Sequence, residues 1–166
     1  MKKMKIIRPY RQEDHENLIR LIVQLQEHIA SLDHYHRQKS GSDFDAEAYV
    51  KKTLKKVQEE HGAIFVAETD GEISGCIIGC IPEPSDADML ESYPVKEGSI
   101  LEFIVAEKSR GSGLGSELMK IMEEYFLKCG CKFSRVACFA PNTDAHIFYE
   151  KYGYGDRNID MLKRLK

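Results

Sequence analysis

A glycine-rich turn between a predicted strand and a predicted helix constrains this chain more than any other feature. The turn is Arg110-Gly111-Ser112-Gly113-Leu114-Gly115-Ser116, and the β-favouring residues 99–106 precede it. The helical pattern that follows, to residue 128, places Leu114, Leu118, Ile121, Met122 and Tyr125 on one face. Glycine permits positive φ angles and close approach of a ligand, and unpaired N–H groups at a helix start attract anions. The turn therefore predicts an anion site, and an ordinary tight turn is the simpler alternative.

The spacing of the glycines disfavours nucleotides as the anion. A P-loop needs Gly-Lys before Ser or Thr, which is absent here. A dinucleotide fingerprint needs a further glycine, but Ser116 and Leu118 occupy the two positions where it would fall. The acid expected about 20 residues later in such folds is also missing from residues 133–139.

The remaining sequence predicts alternating strands and helices. Asp14 is a plausible N-cap for the first helix, and Asp70-Gly71 between two apolar runs indicates an antiparallel hairpin. The predicted elements are a strand at 4–8, a helix with Leu18, Leu21, Ile22, Leu25, Ile29 and Leu32 inward, a helix at 44–60 with Tyr49, Val50, Leu54 and Val57 inward, hairpin strands at 63–68 and 73–81, a long loop at 82–97, a strand at 99–106, a helix to 128, a strand at 133–139, a helix at 142–152 and broken β structure at 154–165.

This order, β-α-α-β-β-β-α-β-α-β, indicates a mixed α/β fold of packed layers. The chain has 166 residues and neither an internal repeat nor a linker-like stretch. We therefore expect one domain over residues 1–166.

Charge and composition exclude several classes of protein. The 24 Lys and Arg residues against 27 Asp and Glu give a net charge of −3, so no basic surface for nucleic acid is expected. The longest apolar run, 76–81, is far below the roughly 18 residues of a membrane span, and no signal peptide follows the basic start. We expect a cytoplasmic protein without a membrane partner. The 5 cysteines predict free thiols, and Cys129-Gly130-Cys131 lacks the second pair of a zinc site, so no metal is expected.

Two motifs make the chain resemble the GCN5-related N-acetyltransferase (GNAT) family. The first, [Q/R]-x-x-G-x-[G/A], is matched from Arg110 to Gly115. The second, N-x-x-A-x-x-[F/L]-Y-x-x-x-G-[F/Y], is matched by Asn142, Ala145, Phe148, Tyr149, Gly153 and Tyr154. The resemblance covers residues 99–155, and the first half agrees only in the order of elements. It implies a central, mostly antiparallel mixed sheet flanked by helices.

The resemblance implies acetyl-CoA as co-substrate and direct transfer of its acetyl group to a primary amine in a ternary complex. The pyrophosphate would accept hydrogen bonds from the backbone N–H groups of the turn. These belong to Arg110, Gly111, Ser112, Gly113, Leu114, Gly115 and Ser116. The motif strand would splay from its neighbour and free backbone groups near Ile104 and Val105 for the pantetheine and thioester. Asn142 would both cap its helix and hydrogen-bond the pantetheine.

The same resemblance assigns catalytic roles to two side chains. Glu102 would accept the proton of the amine, and the alternative is a glutamate that only pairs at a strand start. Tyr149 would protonate the departing thiolate, and the alternative is a tyrosine packed in the core. Arg110 would contact a phosphate, or it is an ordinary surface arginine.

The acceptor is described least by the sequence. Residues 82–97 carry five acids, Glu83, Asp86, Asp88, Glu91 and Glu97, against Lys96 alone, which suits a cationic acceptor. His28, His34 and His36 are candidates for the acceptor side. We expect His146 to be exposed, Cys138 to be a small core residue, and Lys51, Lys52, Lys55 and Lys56 to form a solvated face.

Other functions remain open at this point. One alternative is a non-catalytic module of the same fold that binds coenzyme A, and a nucleotide-binding module is another. Homodimers are common in the family, so a homodimer is a further expectation.

Overall fold

The computed structural model describes residues 5–165 of the chain. The strands are β1 (Lys5–Pro9), β2 (Ala63–Thr69), β3 (Glu72–Cys80), β4 (Glu97–Val105) and β5 (Phe133–Val136). The helices are α1 (His15–Leu32), α2 (Ala46–Glu59), α3 (Asp86–Glu91), α4 (Leu114–Lys128) and α5 (Thr143–Lys151). Met4, predicted to begin the first strand, lies outside the described residues.

The strands form one sheet in the order β1-β2-β3-β4-β5. Neighbours pair antiparallel except β4 and β5, which are parallel. The hairpin between β2 and β3 is confirmed, and its turn residues Asp70 and Gly71 have φ angles of 52° and 84°. Positive φ at both positions matches the twist of the flanking strands. The predicted mixed α/β class is confirmed.

Helices cover both faces of the sheet. On one face, α1 and α2 bury a cluster that includes Leu18, Leu21 and Val50 against side chains of β2, β3 and β4. On the other, α4 contributes Leu114, Leu118, Met119, Met122 and Phe126 to a second cluster, which Tyr149 of α5 joins. Lys51, Lys52, Lys55 and Lys56 are exposed on α2, as predicted for a solvated face.

Glycines let α4 pack closely on the sheet. The ring of Phe126 lies directly over β3 and β4: a Cβ built on Gly79 would come within 2.7 Å of the ring, and one on Gly98 within 2.3 Å. Because Phe126 is only 2% exposed, the ring has little room to move away. Gly98 is therefore a packing requirement of this layer.

We expect Gly98→Ala to destabilise the protein by about 1–3 kcal/mol, because the added methyl group overpacks a fixed aromatic ring. For a chain of this size, that lowers the melting temperature by roughly 3–10 °C. Gly155→Ala is the matched control, since a Cβ there meets nothing within 4 Å. Equal melting temperatures for the two variants in thermal unfolding would contradict this packing.

Three sequence predictions about the periphery are wrong. Residues 154–165 were expected to be broken β structure, but they form no strand; Gly, Asp, Asn and charged residues, which disfavour strands, make up most of the segment. The loop at 82–97 contains α3, whose start is stabilised by reciprocal hydrogen bonds between Ser85 and Asp88. The last strand was expected to reach residue 139 and ends at Val136, where its pairing with β4 stops.

Asp14 does not cap α1 through its side chain. The carboxylate instead accepts hydrogen bonds from both terminal nitrogens of Arg8, at 2.8 and 2.9 Å, and from the backbone N–H of Arg11 at 2.8 Å. Arg8 also contacts Glu68 on β2. The Arg8 hydrogen bonds hold the pKa of Asp14 below its usual value, although burial opposes them. This buried ion pair ties β1 to the start of α1.

Two features are absent from residues 5–165: a membrane-spanning helix and a cluster of metal-binding side chains. None of the helices there is both long and apolar enough to cross a membrane. No three His, Cys, Asp or Glu side chains in that range are grouped so that they could hold a metal ion.

Candidate active site

The sheet opens between β4 and β5. Their pairing runs from Glu97 opposite Phe133 to Ile100 opposite Val136 and then stops, while β4 continues to Val105. Beyond Ile100, β4 has no strand on this side within residues 5–165. This is the splay that the family resemblance implies.

Every second residue of β4 directs its backbone N–H and C=O groups into this opening. The N–H of Ala106 donates to Ser74 of β3 at 2.8 Å, so Ile104, two residues earlier, also directs its N–H and C=O towards β3. The same alternation directs the N–H and C=O of Phe103 and Val105 into the opening. Of the two residues predicted to offer backbone groups, Val105 meets the expectation, whereas the backbone of Ile104 lies on the other side.

The glycine turn lies at the end of β4 and is rich in free N–H groups. Gly111 and Gly113 have φ angles of 70° and 83°, and a Cβ at either position would meet nothing within 4 Å, so conformation and not space requires glycine there. The first N–H of α4 to find a backbone acceptor is that of Glu117, which donates to Gly113 at 3.2 Å. Within residues 5–165, the N–H groups of 111–116 have no backbone acceptor. The N–H of Arg110, also predicted to be free, instead donates to the carbonyl of Glu107 at 3.1 Å, where it closes a short 3-10 turn.

Other contacts fix the shape of the turn. The Ser112 hydroxyl donates to the carbonyl of Ser109 at 2.6 Å, and Lys5 Nζ donates to the carbonyl of Ser112 at 2.5 Å. Gly115 packs against Phe103 and Phe148, 3.3 and 3.5 Å from a Cβ built on it. Arg110 is exposed, and its Nε donates to the carbonyl of Val105 at 3.2 Å. The guanidinium thus lies at the junction of the turn and the opening.

Glu102 lies on β4 with its side chain on the α1 and α2 face, the face that Ile104 also shares. The hydroxyl of Tyr49, on α2, donates a short hydrogen bond to Glu102 Oε1. Burial raises the pKa of Glu102, and the Tyr49 hydrogen bond opposes that rise. The predicted base is therefore a half-buried carboxylate with one engaged oxygen.

Tyr149 is buried on the other side of the opening. Its ring lies 6.3 Å from that of Phe103 and 5.8 Å from those of Phe148 and Tyr154, measured between centroids. Its hydroxyl makes no hydrogen bond to another residue of 5–165 and keeps some access to solvent. Burial raises its pKa, so the hydroxyl is protonated near neutral pH. The ring is therefore a core side chain, and the role of the hydroxyl as an acid stays a prediction.

Asn142 caps α5 as predicted, since its Oδ1 accepts from the N–H of Ala145 at 3.4 Å. Cys138 packs against the core cluster beneath α5, as expected for a small core residue. His146 is half-buried rather than exposed, because its Nε2 lies 2.7 Å from Asp156 Oδ1. That contact ties α5 to the segment that follows it.

The candidate acceptor residues are spread over the connection between α1 and α2. His34 and His36 are exposed there, and His28 lies on α1 itself. His36 borders two open cavities of about 450 and 530 Å³. The larger one lies against the carboxyl-terminal segment and is lined by Tyr35, His36, Arg37, Leu162, Lys163, Arg164 and Leu165. Its charged lining is therefore cationic.

The acidic segment lies elsewhere. Residues 82–96 lead into the start of β4, whereas the glycine turn follows its end. A strand from Glu97 to Val105 spans roughly 30 Å. The acids of this segment are therefore at the far end of β4 from the turn.

Sequence reasoning missed one member of the site. Tyr49 was assigned to the apolar stripe of α2, and its ring does pack on Phe44 with centroids 5.4 Å apart. Its hydroxyl, however, reaches Glu102 across 53 positions of sequence. Only the packing of α2 on β4 brings the two together, so helical periodicity gives no signal for the contact.

The family model described as the acetyltransferase (GNAT) family matches residues 25–154. The chain belongs to the GNAT family. A curated relative, an uncharacterized N-acetyltransferase of Methanocaldococcus jannaschii, is 30% identical to this GNAT chain over 96 residues, covering 57% of the chain and 54% of the relative. The chain matches about half the length of the curated relatives.

Solved structures share the fold. A protein of Bacillus halodurans superposes with a TM-score of 0.83 at 19% identity, covering 97% of this GNAT chain and 99% of that one. AAC(6')-Iy, solved in complex with the bisubstrate analogue CoA-S-monomethyl-acetylneamine, superposes with a TM-score of 0.71 at 18% identity, covering 98% and 99%. At these identities the likeness establishes the architecture alone.

Proposed function

We propose that this chain is a single N-acetyltransferase domain that moves an acetyl group from acetyl-CoA to a primary amine by direct attack in a ternary complex. The observation that carries the proposal is the run of unpaired N–H groups at 111–116 beside the opening between β4 and β5. An anion site adjoining a gap lined by free backbone groups suits a ligand with a pyrophosphate at one end and an amide-containing arm. We further propose a cytoplasmic enzyme.

The donor site in this proposal uses mainly backbone groups. The pyrophosphate accepts hydrogen bonds from the N–H groups at the start of α4, where the helix dipole also favours negative charge. Arg110 adds a charge-assisted contact once its guanidinium turns from the carbonyl of Val105. Phe103 and Val105 offer backbone groups to the pantetheine and the thioester carbonyl, and Asn142 contacts the pantetheine from α5. The CoA analogue in the AAC(6')-Iy structure supports this choice of donor.

The reaction requires a neutral amine. An alkylamine with a pKa near 10.4 is mostly protonated at pH 7, which costs about 4–5 kcal/mol if no group accepts its proton. We propose that Glu102 accepts this proton. The neutral nitrogen then attacks the thioester carbonyl, a C–N bond forms, and the C–S bond breaks.

Tyr149 completes the proton balance. The departing thiolate, with a pKa near 8.5 for a simple thiol, receives a hydrogen bond and then a proton from the phenol. The tyrosinate recovers a proton from solvent. A hydroxyl that is protonated and makes no hydrogen bond within residues 5–165 is free to donate to the thiolate.

We expect Tyr149→Phe to lower kcat about 10- to 100-fold and to leave the Kd for acetyl-CoA within about twofold, since only proton transfer is lost. Steady-state kinetics and calorimetric titration give the two values. Tyr152→Phe is the matched control, because Tyr152 stacks on Phe148 from the same helix end. If Tyr149→Phe loses affinity and kcat equally, its role is packing.

Ligand-induced stabilisation tests the identity of the donor. A ligand that binds the folded protein raises its melting temperature. We expect coenzyme A to raise it more than ATP or NAD at equal concentration. A larger shift with either nucleotide would favour the nucleotide-binding alternative. A shift with coenzyme A but no turnover with any amine would favour a non-catalytic module.

The charge of the acceptor is part of the proposal. The acidic residues that suggested a cationic acceptor lie at the far end of β4, and the cavity beside the connection of α1 to α2 is lined by Arg37, Lys163 and Arg164. We therefore expect amines that also carry a carboxylate or phosphate to be acetylated with higher kcat/KM than polyamines. Faster turnover of polyamines in a panel would contradict this expectation.

A further inference from the structure

Within residues 5–165, the side chain of Glu102 makes one hydrogen bond, which it accepts from Tyr49 on α2. Tyr49 donates to Oε1, and Oε2 receives no hydrogen bond from that part of the chain. Oε2 is also absent from the buried polar atoms that lack a partner, so it keeps some access to solvent. The two carboxylate oxygens therefore have different environments, one engaged by a phenol and one open.

Tyr49 is held firmly where it makes this contact. It lies in the first turn of α2, which Asp45 caps by accepting the N–H of Ala48 at 2.9 Å. Its ring packs on Phe44, and Thr53 donates to its carbonyl at 3.1 Å. The residue nevertheless remains 39% exposed. The phenol thus reaches inward from the rim of the site while its outer face borders solvent.

We propose that Tyr49 is a positioning residue for acetyl transfer: its hydroxyl occupies Oε1 of Glu102 and leaves Oε2 as the atom that accepts the proton of the amine. The inference rests on the proposed function, since it assumes that Glu102 is the base. The proton passes from the amine nitrogen to Oε2, and Tyr49 itself neither gains nor loses one. Burial raises the pKa of Tyr49, so it stays a hydrogen-bond donor throughout.

The same contact favours the ionised form of the base. Burial of Glu102 raises its pKa, and the Tyr49 hydrogen bond is the interaction that opposes this rise. The other titratable groups that sense its charge are Cys76 on β3 and Tyr149 on α5. Both are neutral near pH 7, because burial raises the pKa of each. Tyr49 is therefore the group that can tune Glu102 without a competing charge.

The test compares pH profiles of kcat/KM for wild type, Tyr49→Phe and Tyr125→Phe. Tyr49→Phe keeps the ring on Phe44 and removes one oxygen. We expect its acidic limb to move to higher pH by about one unit, because a hydrogen bond to a charged group has been lost. The kcat/KM of Tyr49→Phe is then about tenfold below that of wild type on the acidic limb and equal to it at high pH. A merely structural role would lower kcat/KM equally at every pH.

Tyr125→Phe serves as the control for loss of a tyrosine hydroxyl. Tyr125 donates to the carbonyl of His61 at 2.8 Å and does not contact Glu102. Its acidic limb should coincide with that of wild type. Any displacement equal to that of Tyr49→Phe would overturn the inference.

Glu102→Gln separates this inference from the function on which it rests. If Glu102→Gln removes the acidic limb and Tyr49→Phe leaves it in place, Tyr49 is not a positioning residue, and the proposed function stands. If Glu102→Gln leaves the profile unchanged, both the base and its positioning by Tyr49 are refuted. Removal of the limb by Glu102→Gln together with its displacement by Tyr49→Phe supports the inference.

Discussion

Glu102→Gln is expected to lower kcat/KM for the amine about 100-fold at neutral pH. The amide keeps the shape of the side chain but cannot accept a proton, and general-base catalysis contributes about 10²- to 10⁴-fold. The KM for acetyl-CoA should hardly change, since the backbone groups proposed to bind it are untouched. The deficit should shrink above pH 10, where solvent has already deprotonated the amine.

Glu107→Gln is the matched control for the loss of one carboxylate. Glu107 is exposed just beyond β4 and makes no contact with Glu102. Its rate should equal that of wild type. A Glu102→Gln enzyme with wild-type kcat/KM at pH 7 would show that the carboxylate only packs within the sheet.

Gly113→Asp is expected to weaken coenzyme A binding about 10- to 100-fold without unfolding the protein. Gly113 is the N-cap of α4, and Asp is a favourable capping residue, so the helix itself should tolerate the change. Its carboxylate, however, occupies the N–H groups proposed for the pyrophosphate and repels it. Two like charges about 5 Å apart near a protein surface interact by about 3 kcal/mol before salt screens them.

Gly113→Asn isolates the charge in that experiment. Asn has nearly the same shape, also tolerates positive φ and also caps helices. Both variants carry the strain of a side chain at φ 83°, so comparing them cancels it. Calorimetric titration should give a Kd at least tenfold weaker for Asp than for Asn. Equal affinities would place the pyrophosphate elsewhere.

Local sequence signals predicted the parts of this fold that depend on local chemistry. The hairpin at Asp70-Gly71 follows from two residues that tolerate positive φ, and the start of α4 follows from Gly113, which takes the left-handed conformation there. The cap of α5 by Asn142 is likewise a contact over three positions. In each case the determining interaction lies within a few residues of the chain.

Local sequence signals did not predict features that depend on packing between distant segments. Asp14 is a residue type typical of N-caps, but its carboxylate binds Arg8, a half-buried side chain on the preceding strand. Residues 154–165 contain only Tyr154 and Ile159 as strand-favouring residues, and no strand of the sheet pairs with them. The link between Tyr49 and Glu102 likewise depends on α2 crossing β4.

The candidate site likewise has one part that local sequence determines and one part that long-range packing determines. The free N–H groups of 111–116 follow from a motif read within one short segment. The direction of the β4 backbone groups does not follow from a local motif, because it depends on the register between β3 and β4. That register places the groups of Phe103 and Val105, and not those of Ile104, in the opening.

Amine-dependent release of coenzyme A tests the central claim most directly. Purified protein is mixed with acetyl-CoA and, one at a time, a panel of primary amines that includes amino acids, amino-sugar phosphates, polyamines, aminoglycosides and peptides. Free thiol is followed by its reaction with a disulfide reagent, and the acetylated product by mass spectrometry. We predict thiol release that depends on at least one amine, matches the acetylated product mole for mole and is lost in Glu102→Gln. Binding of coenzyme A with no amine-dependent release from any class would contradict the account.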